Sequence, residues 1–442
     1  MPSVILGGRG DLLRELFADR QANLKIEFVA GFTSFLTSAY IIAVNPAILS
    51  QAGMDRTALI AVTCIASGVA TLLMAVWPKV PVLMAPGMGL NAFFAFTVVK
   101  TLGHSWQEAL GFVFWAGVIF LVLSLFGLRE KIAASIPANL RISGSVGIGL
   151  FIAYLGLRNM ELIRVDDMGL MHLAKIGNLQ VLSLIGLALM AYLQARNVSG
   201  ALVLGILAVT LASFFLGVAP PPQHYFSLPP SIAPLAGRLQ FIPTMNWNTL
   251  VVILTFLYVS MFDGLGTLLA VSESGGFSRE PGYERKLTRM LGADSAANII
   301  GALLGTSTVT AFIESASGIS QGGRTGWTAL ASALLFFLAL FVVPFVASIP
   351  AFATAPALIV VGAFMMREIS RVRFDLFDEA LPAFLTILLM PLTTSISTGL
   401  MFGFISYTLL KLFLGKWNDL NPILIGITLF SLMNLYFGGK LT

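Results

Sequence analysis

Residues Leu303 to Arg324 read LLGTSTVTAFIESASGISQGGR. The stretch lies between apolar runs long enough to cross a bilayer, yet it is not itself a uniform apolar helix. Gly305, Thr306, Ser307, Thr308, Thr310, Ser315, Ser317 and Gly318 crowd it with small and hydroxylic side chains, and one carboxylate, Glu314, stands in its middle. Lipid offers no hydrogen-bond partners, so backbone that leaves the helix at membrane depth must sit against protein or a watery cavity. A carboxylate at that depth is costly and by default marks a functional site. Thr306 to Phe312, β-branched at alternating positions, predicts a short extended segment, and ESASGIS predicts a half-helix whose first turn carries Glu314. A hydroxyl-rich contact between helices, with a loop glutamate, is the plainer alternative.

The composition frames this stretch. The 442 residues are 57% hydrophobic and 11% charged, with a mean hydropathy of +0.90. Soluble domains carry roughly 25% charged residues, so the chain reads as an all-α polytopic membrane protein. No charged leader with a short apolar core and a small-residue cleavage site opens it, so no secretory signal is expected. Residues 1–27 predict a cytoplasmic lead-in in which Arg14, Arg20 and Lys25 are offset by Glu15, Asp19 and Glu27. The single cysteine, Cys64, lies in an apolar run, so no intrachain disulfide is expected, nor a metal site or cofactor. The net charge of +5 sits in loops between spans, which is the positive-inside pattern and not a nucleic-acid surface.

Apolar segments fall at about 28–49, 57–77, 82–101, 106–127, 142–158, 178–195 and 199–217, and, after a Pro-rich loop at 218–246, at about 247–271, 291–305, 306–321, 326–348, 353–366, 378–391 and 395–413. A last apolar stretch covers 421–437. With the N-terminus inside, Lys79, Arg129, Lys131, Arg141, Arg196, Arg285 and Arg324 fall among many cytoplasmic loop charges. The outer loops hold far fewer, chiefly Arg56, Arg158, Arg164, Lys175 and Arg238. The expected orientation is therefore N-terminus cytoplasmic in the cell membrane.

Seven segments, a long loop and seven more suggest an internal repeat. The third segment, PVLMAPGMGLNAFFAF (Pro81 to Phe96), shares the grammar of the tenth: an extended run ending at Pro86-Gly87, then a half-helix with Asn91 in its first turn. An odd number of spans per repeat inverts one copy relative to the other, and paired interrupted segments point to a transporter binding site. Two short strands are then expected to meet head to head, with two half-helix N-termini facing a ligand. In the eighth segment Asp263 is the other intramembrane charge, and Ser260, Asp263 and Thr267 share a helix face. Asp263 could equally serve packing alone. The first segment carries Thr33, Ser34, Thr37, Ser38 and Tyr40 before Asn45-Pro46 ends it. These hydroxyls read equally as helix–helix glue or, at Thr37 or Tyr40, as site groups. Of Phe93 and Phe94, which follow Asn91, at least one, taken as Phe94, offers a planar ligand a stacking face, though a core phenylalanine fits as well.

YIIAVNPAIL, MAPGMGLNAFFAF, FDGLGTL and ADSAANIIGALLGTSTVTAFIESASGISQGGRTG together resemble the AzgA-like purine permeases of the nucleobase:cation symporter-2 family, over nearly the whole chain. The resemblance implies a proton-coupled importer of adenine, guanine or hypoxanthine. It also implies the uracil-transporter fold of 14 transmembrane segments in two inverted 7-segment repeats, with short strands in segments 3 and 10. A core domain would take 28–127 and 247–348 (segments 1–4 and 8–11), and a gate domain 142–217 and 353–413 (segments 5–7 and 12–14), leaving an apolar tail at 414–442. Substrate contacts would come from Asn91, Phe94, Ser260, Asp263, Thr308 and Glu314, with Glu314 and Asp263 as proton-coupling groups. Many relatives carry an acid or amide where this chain has Ser260, which cannot hold a proton at neutral pH. The expected partners are a purine base, protons and the bilayer. A homodimer is one assembly compatible with the sequence.

The alternatives are a transporter of the same fold for uracil, xanthine or a small anion, and an intramembrane enzyme. Neither Pro81–Phe96 nor 306–321 contains an arginine or lysine, which disfavours an anion. The chain has no HExxH pair, and Asp263 shows no evident partner acid in another segment, which disfavours a metalloprotease or an aspartyl protease.

Overall fold

The computed structural model describes residue 17 and residues 22–125, 135–166, 171–241 and 247–438. Most of the expected lead-in, with Arg14, Glu15, Asp19 and Arg20, lies outside the described residues, as do Arg129 and Lys131. The first segment is two helices, α1 (Leu24–Ser38) and α2 (Ile41–Leu49). Asn45-Pro46 does not end it. The ladder loosens earlier, where Ile42 N donates to Ala39 O and Ala43 N to Tyr40 O, both at 3.1 Å. The helix restarts there and runs past Pro46, whose missing N–H and crowded preceding turn fall close to that break. Helix α3 (Arg56–Val76) follows, its first turn capped by Asp55 Oδ1, which accepts from Ala58 N at 2.7 Å.

The third segment breaks into β1 (Met84–Pro86), α4 (Met88–Ala92) and a π-helical stretch (Phe93–Thr101). Then come α5 (Trp106–Leu125), α6 (Ala138–Asn159), a hairpin of β2 (Ile163–Val165) and β3 (Met171–Leu173), α7 (Asn178–Ala195) and α8 (Ala201–Phe215). The charge pattern assigns Arg141 to a loop, but it lies inside the first turn of α6, where its amide donates to Pro137 O at 3.2 Å. The second half comprises α9 (Trp247–Gly275), α10 (Tyr283–Leu304), β4 (Val309–Ala311), α11 (Ser315–Ser320), α12 (Gly326–Ala339), α13 (Val343–Ala347), α14 (Ala351–Met366), α15 (Phe377–Leu392) and α16 (Ile396–Phe413). The tail stretch forms a further helix, α17 (Pro422–Gly438), tied to α16 by a 2.7 Å bond between Thr408 and Thr428. Nine helices among the described residues are long and apolar enough to cross a membrane.

The two halves of the chain interlock. In one set of contacts α3 packs on α2, α10 and α12, α1 on α11 and α12, and α5 on α9 and α10. In the other, α6 packs on α14 and α15, α7 on α8 and α14, and α15 on α16. Close approach of α6 and α14 depends on glycine: a methyl group on Gly149 would lie 2.9 Å from Gly362 O. The Pro-rich loop lies across the ends of α5, α10 and the α12–α13 junction. There Gly237 N donates to Leu303 O at 2.8 Å, Gln240 N to Gln107 O at 2.9 Å and Ser227 N to Phe341 O at 3.0 Å.

Where α15 begins and α16 ends, Lys411 is 2% exposed and bonds Asp378 at 2.8 Å, Glu379 at 2.9 Å and Asp419 at 3.0 Å. Lys416 reaches Asp378 at 2.6 Å, and a cavity of about 530 Å³ opens beside the cluster. Removing one member of a buried ion pair strands the other charge. Lys411→Ala should therefore destabilise the protein by about 3–5 kcal/mol, whereas Lys416→Ala, at a half-exposed amine, should cost about 1 kcal/mol or less. Thermal unfolding of the purified variants in one detergent checks this, and equal melting points for the two would contradict it.

Candidate functional site

The interrupted segments meet through β1 and β4. Instead of touching head to head, the strands lie side by side and antiparallel, with Met84 opposite Ala311, Ala85 opposite Thr310 and Pro86 opposite Val309. Lateral pairing satisfies backbone groups that end-to-end contact would leave bare. Gly87 N donates to Thr308 O and Phe312 N to Leu83 O, each at 3.0 Å. Side chains cover the outer edges. Thr71 Oγ1 accepts from Met84 N at 2.9 Å and donates to Met84 O at 3.1 Å, and Leu83 N donates to Ser315 Oγ at 3.0 Å. On the other side Asp294 Oδ1 accepts from Thr310 Oγ1 at 2.9 Å and from Ala311 N at 3.1 Å.

Asp294 is a further buried carboxylate, beyond the intramembrane acids Asp263 and Glu314 expected from the sequence, and supplies the nearby acid that Asp263 lacks there. It is fully buried on α10, and Gly264 leaves no room for a methyl group against its carboxylate. The signal was present: Asp294 and Asn298 form a polar i,i+4 pair in a helix of small residues, and a glycine directly follows Asp263.

The expected contact residues divide into two groups. A methyl group placed on Gly87 would lie 3.8 Å from Asp263 Oδ2 and 3.9 Å from Thr308 Oγ1, so both groups converge on the turn after β1. Asp263 is half-buried, and the carboxylates of Asp294 and Glu314 lie within its electrostatic range. The hydroxyls of Thr308 and of Ser260, one helical turn before Asp263, are buried and have no partner among the described residues. Glu314 stands at the N-cap of α11, one residue ahead of the first-turn place expected for it. Its Oε1 accepts from Tyr40 Oη at 2.7 Å, so the break between α1 and α2 delivers a phenol to this carboxylate.

Asn91 and Phe94 are enclosed. Asn91 Nδ2 donates to Asn45 Oδ1 at 2.6 Å, and Asn91 Oδ1 accepts from Ser307 Oγ. Asn45 Nδ2 in turn donates to Thr63 Oγ1 at 2.7 Å and Thr306 Oγ1 at 3.1 Å. The Asn91 amide thus joins segments 1, 3 and 10, and ties the first segment to the cradle formed by the turns around β1 and β4. Phe94 is fully buried, with its ring 6.5 Å from that of Phe256. The Ser260 and Thr308 hydroxyls have no partner among the described residues, and Asp263 and Glu314 keep carboxylate lone pairs, whereas the Asn91 amide is fully buried within its own network.

If Asp294 is the cover for β4, Asp294→Ala should strand the Ala311 amide and the Thr310 hydroxyl and cost about 1–3 kcal/mol. Asp294→Asn keeps an acceptor oxygen at the same place and should cost less. Thermal stability of the two variants decides this, and an Asn variant as unstable as the Ala variant would contradict it.

The Permease family model matches residues 25–402. The Putative permease MJ0326 of Methanocaldococcus jannaschii is 46% identical, covering 94% of this chain and 96% of its own length. The Guanine/hypoxanthine permease PbuO of Bacillus subtilis is 41% identical over 95% and 98%, and the Adenine permease AdeP of Escherichia coli is 38% identical over 97% and 97%. Among solved structures, the transmembrane domain of the cyanobacterial bicarbonate transporter BicA superposes with a TM-score of 0.65 at 17% identity, covering 86% of this chain and 98% of that one. At that identity the likeness is one of fold alone. These relatives are named as permeases and not as enzymes, and the apolar helices make this a multi-pass membrane protein. The chain belongs to the Permease family.

Proposed function

We propose that the chain is a secondary transporter that imports a purine nucleobase, adenine, guanine or hypoxanthine, in symport with protons. The observation that carries this reading is the approach of Asp263 and the buried Thr308 hydroxyl, which has no partner among the described residues, to the turn after β1, with the Glu314 carboxylate within electrostatic range of Asp263. A neutral purine presents ring N–H groups and an exocyclic amine to carboxylates, and ring nitrogens or a carbonyl to hydroxyl donors. Asp263 and Glu314 would accept from the base, Ser260 and Thr308 would complete the edge, and Asn91 would hold the cradle together. Phe94 would back the cradle and not stack on the base. Two carboxylates also repel an anion, which argues against anion transport on this fold. The adenine and guanine/hypoxanthine permeases among the relatives support the same substrate class.

In this reading segments 1–4 and 8–11 form a core and segments 5–7 and 12–14 a gate, in two inverted seven-segment repeats with the N-terminus cytoplasmic. The core would slide against the gate and carry the cradle with it. The helix contacts support this division, since most fall within one group or the other. Glu314 would take the coupling proton while Tyr40 holds one of its oxygens.

Two experiments test the reading. Glu314→Gln keeps the shape and one acceptor but cannot ionise, so accumulation driven by an imposed pH gradient should disappear while weak binding survives. Glu314→Ala should weaken equilibrium binding about 10–100-fold, the range of a lost hydrogen bond to a charged group. Wild-type accumulation by the Gln variant would move the coupling role to Asp263. Ser260→Asp restores an acid that many similar permeases carry and should reorder competition among unlabelled adenine, guanine and hypoxanthine. An unchanged order would place Ser260 outside the site.

A further inference from the structure

Arg141 is a cation of α6 turned toward α9. Its guanidinium Cζ lies 5.7 Å from the centre of the Phe262 ring, and its Nε is buried without a hydrogen-bond partner among the described residues. Tyr258, four residues before Phe262, packs on that ring with centroids 4.7 Å apart, and meets Phe404 of α16 edge-on at 5.6 Å. The Tyr258 hydroxyl is also buried without a partner among the described residues, within electrostatic range of Arg141. Residues four apart share a helix face, so α9 turns both rings toward α6 and α16. Asp263 follows Phe262 directly, about 100° further round the same helix.

The patch therefore combines packed aromatic rings with an Nε–H donor on Arg141 and a phenol on Tyr258, neither of which has a partner among the described residues, and Phe262 is the chain neighbour of Asp263. Buried polar groups are normally paired, and an exception calls for an explanation such as a ligand that completes them. We infer that this patch is a second halt for the transported base, between the cradle and water. It fits a planar heteroaromatic ring that bears a carbonyl oxygen or an unprotonated ring nitrogen. The ring stacks on Phe262 or Tyr258, Arg141 Nε–H donates to the acceptor, and the Tyr258 hydroxyl supplies a second bond. Ionised carboxylates only accept, so Asp263 and Glu314 read the donors of a base, and this patch adds to the Ser260 and Thr308 hydroxyls in reading its acceptors. A 6-oxopurine, whose carbonyl is a strong acceptor, gains more here than adenine does. The inference rests on the purine-transport reading and adds a selectivity step to it.

The test is transport of labelled adenine, guanine and hypoxanthine by the full chain in proteoliposomes, comparing wild type with Arg141→Gln, Arg141→Lys and Phe262→Leu. A wild type that moves none of the three bases sinks the purine reading itself, and this inference with it. Given wild-type transport, Arg141→Gln should raise KM for guanine and hypoxanthine about tenfold, with adenine changing by about twofold or less. Arg141→Lys should recover part of that loss, and Phe262→Leu should raise KM for all three bases. Equal KM changes for all bases in Arg141→Gln, or a lower Vmax at unchanged KM, would reduce Arg141 to a closing contact and overturn the inference. If Arg141→Gln does not purify as a folded protein, unchanged KM values in both Arg141→Lys and Phe262→Leu overturn it instead.

Discussion

Extended backbone buried among apolar helices has no water to bond with, and β1 and β4 meet that constraint by bonding each other. Their outer edges would still be bare without Thr71 on one side and Asp294 on the other, two side chains that act as substitute strands. The candidate site is a consequence of this arrangement. The turn after β1 brings Gly87 against Thr308 and Asp263, and the turn after β4 sets Glu314 ahead of α11. A sheet this small has no tolerance for slippage, because a one-residue shift would turn every side chain to the opposite face.

The first segment supports both halves of that sheet. Its break at Ala39–Tyr40 sends a phenol to Glu314 beyond β4, and five residues later Asn45 holds Asn91 beyond β1. One amide at Asn45 meets groups from segments 2, 3 and 10, all of them buried. Removing it would leave several polar groups unpaired at once, which is the costly way to lose hydrogen bonds.

Much of this was legible in the chain. Pro86-Gly87 and the hydroxyl run from Thr306 to Thr310 show where the helices stop, since few other residues would halt a span in mid-membrane. Asp263 and Glu314 stand out because their neighbours are apolar. Asp294 did not, because ADSAAN follows a charged loop and reads as the polar mouth of a helix, and only the fold shows that α10 buries it. Arg141 misled for the same reason, being an arginine near a helix start that the tertiary packing turns inward. Asn91 was visible as a polar group in the right place, but its direction was not, since the partners of its amide come from segments 1 and 10. Side chains whose partners lie far along the chain can be located from sequence more readily than they can be aimed.

The pairing of Met84 with Ala311 has a consequence for biosynthesis. A ribosome releases β1 well before β4 exists, with most of the intervening helices still to be made. During that interval the inner edge of β1 has no mate, and the Asn45–Asn91 bond lacks Ser307 and Thr306 to complete its network. The early segments must therefore wait in the membrane or its insertion machinery in a form different from the final one. Contacts this distant along the chain make assembly slow. The cradle closes only after the tenth segment is made, so a chain truncated before β4 would contain every described helix of its first half, with α9 and α10 besides, and none of its finished site.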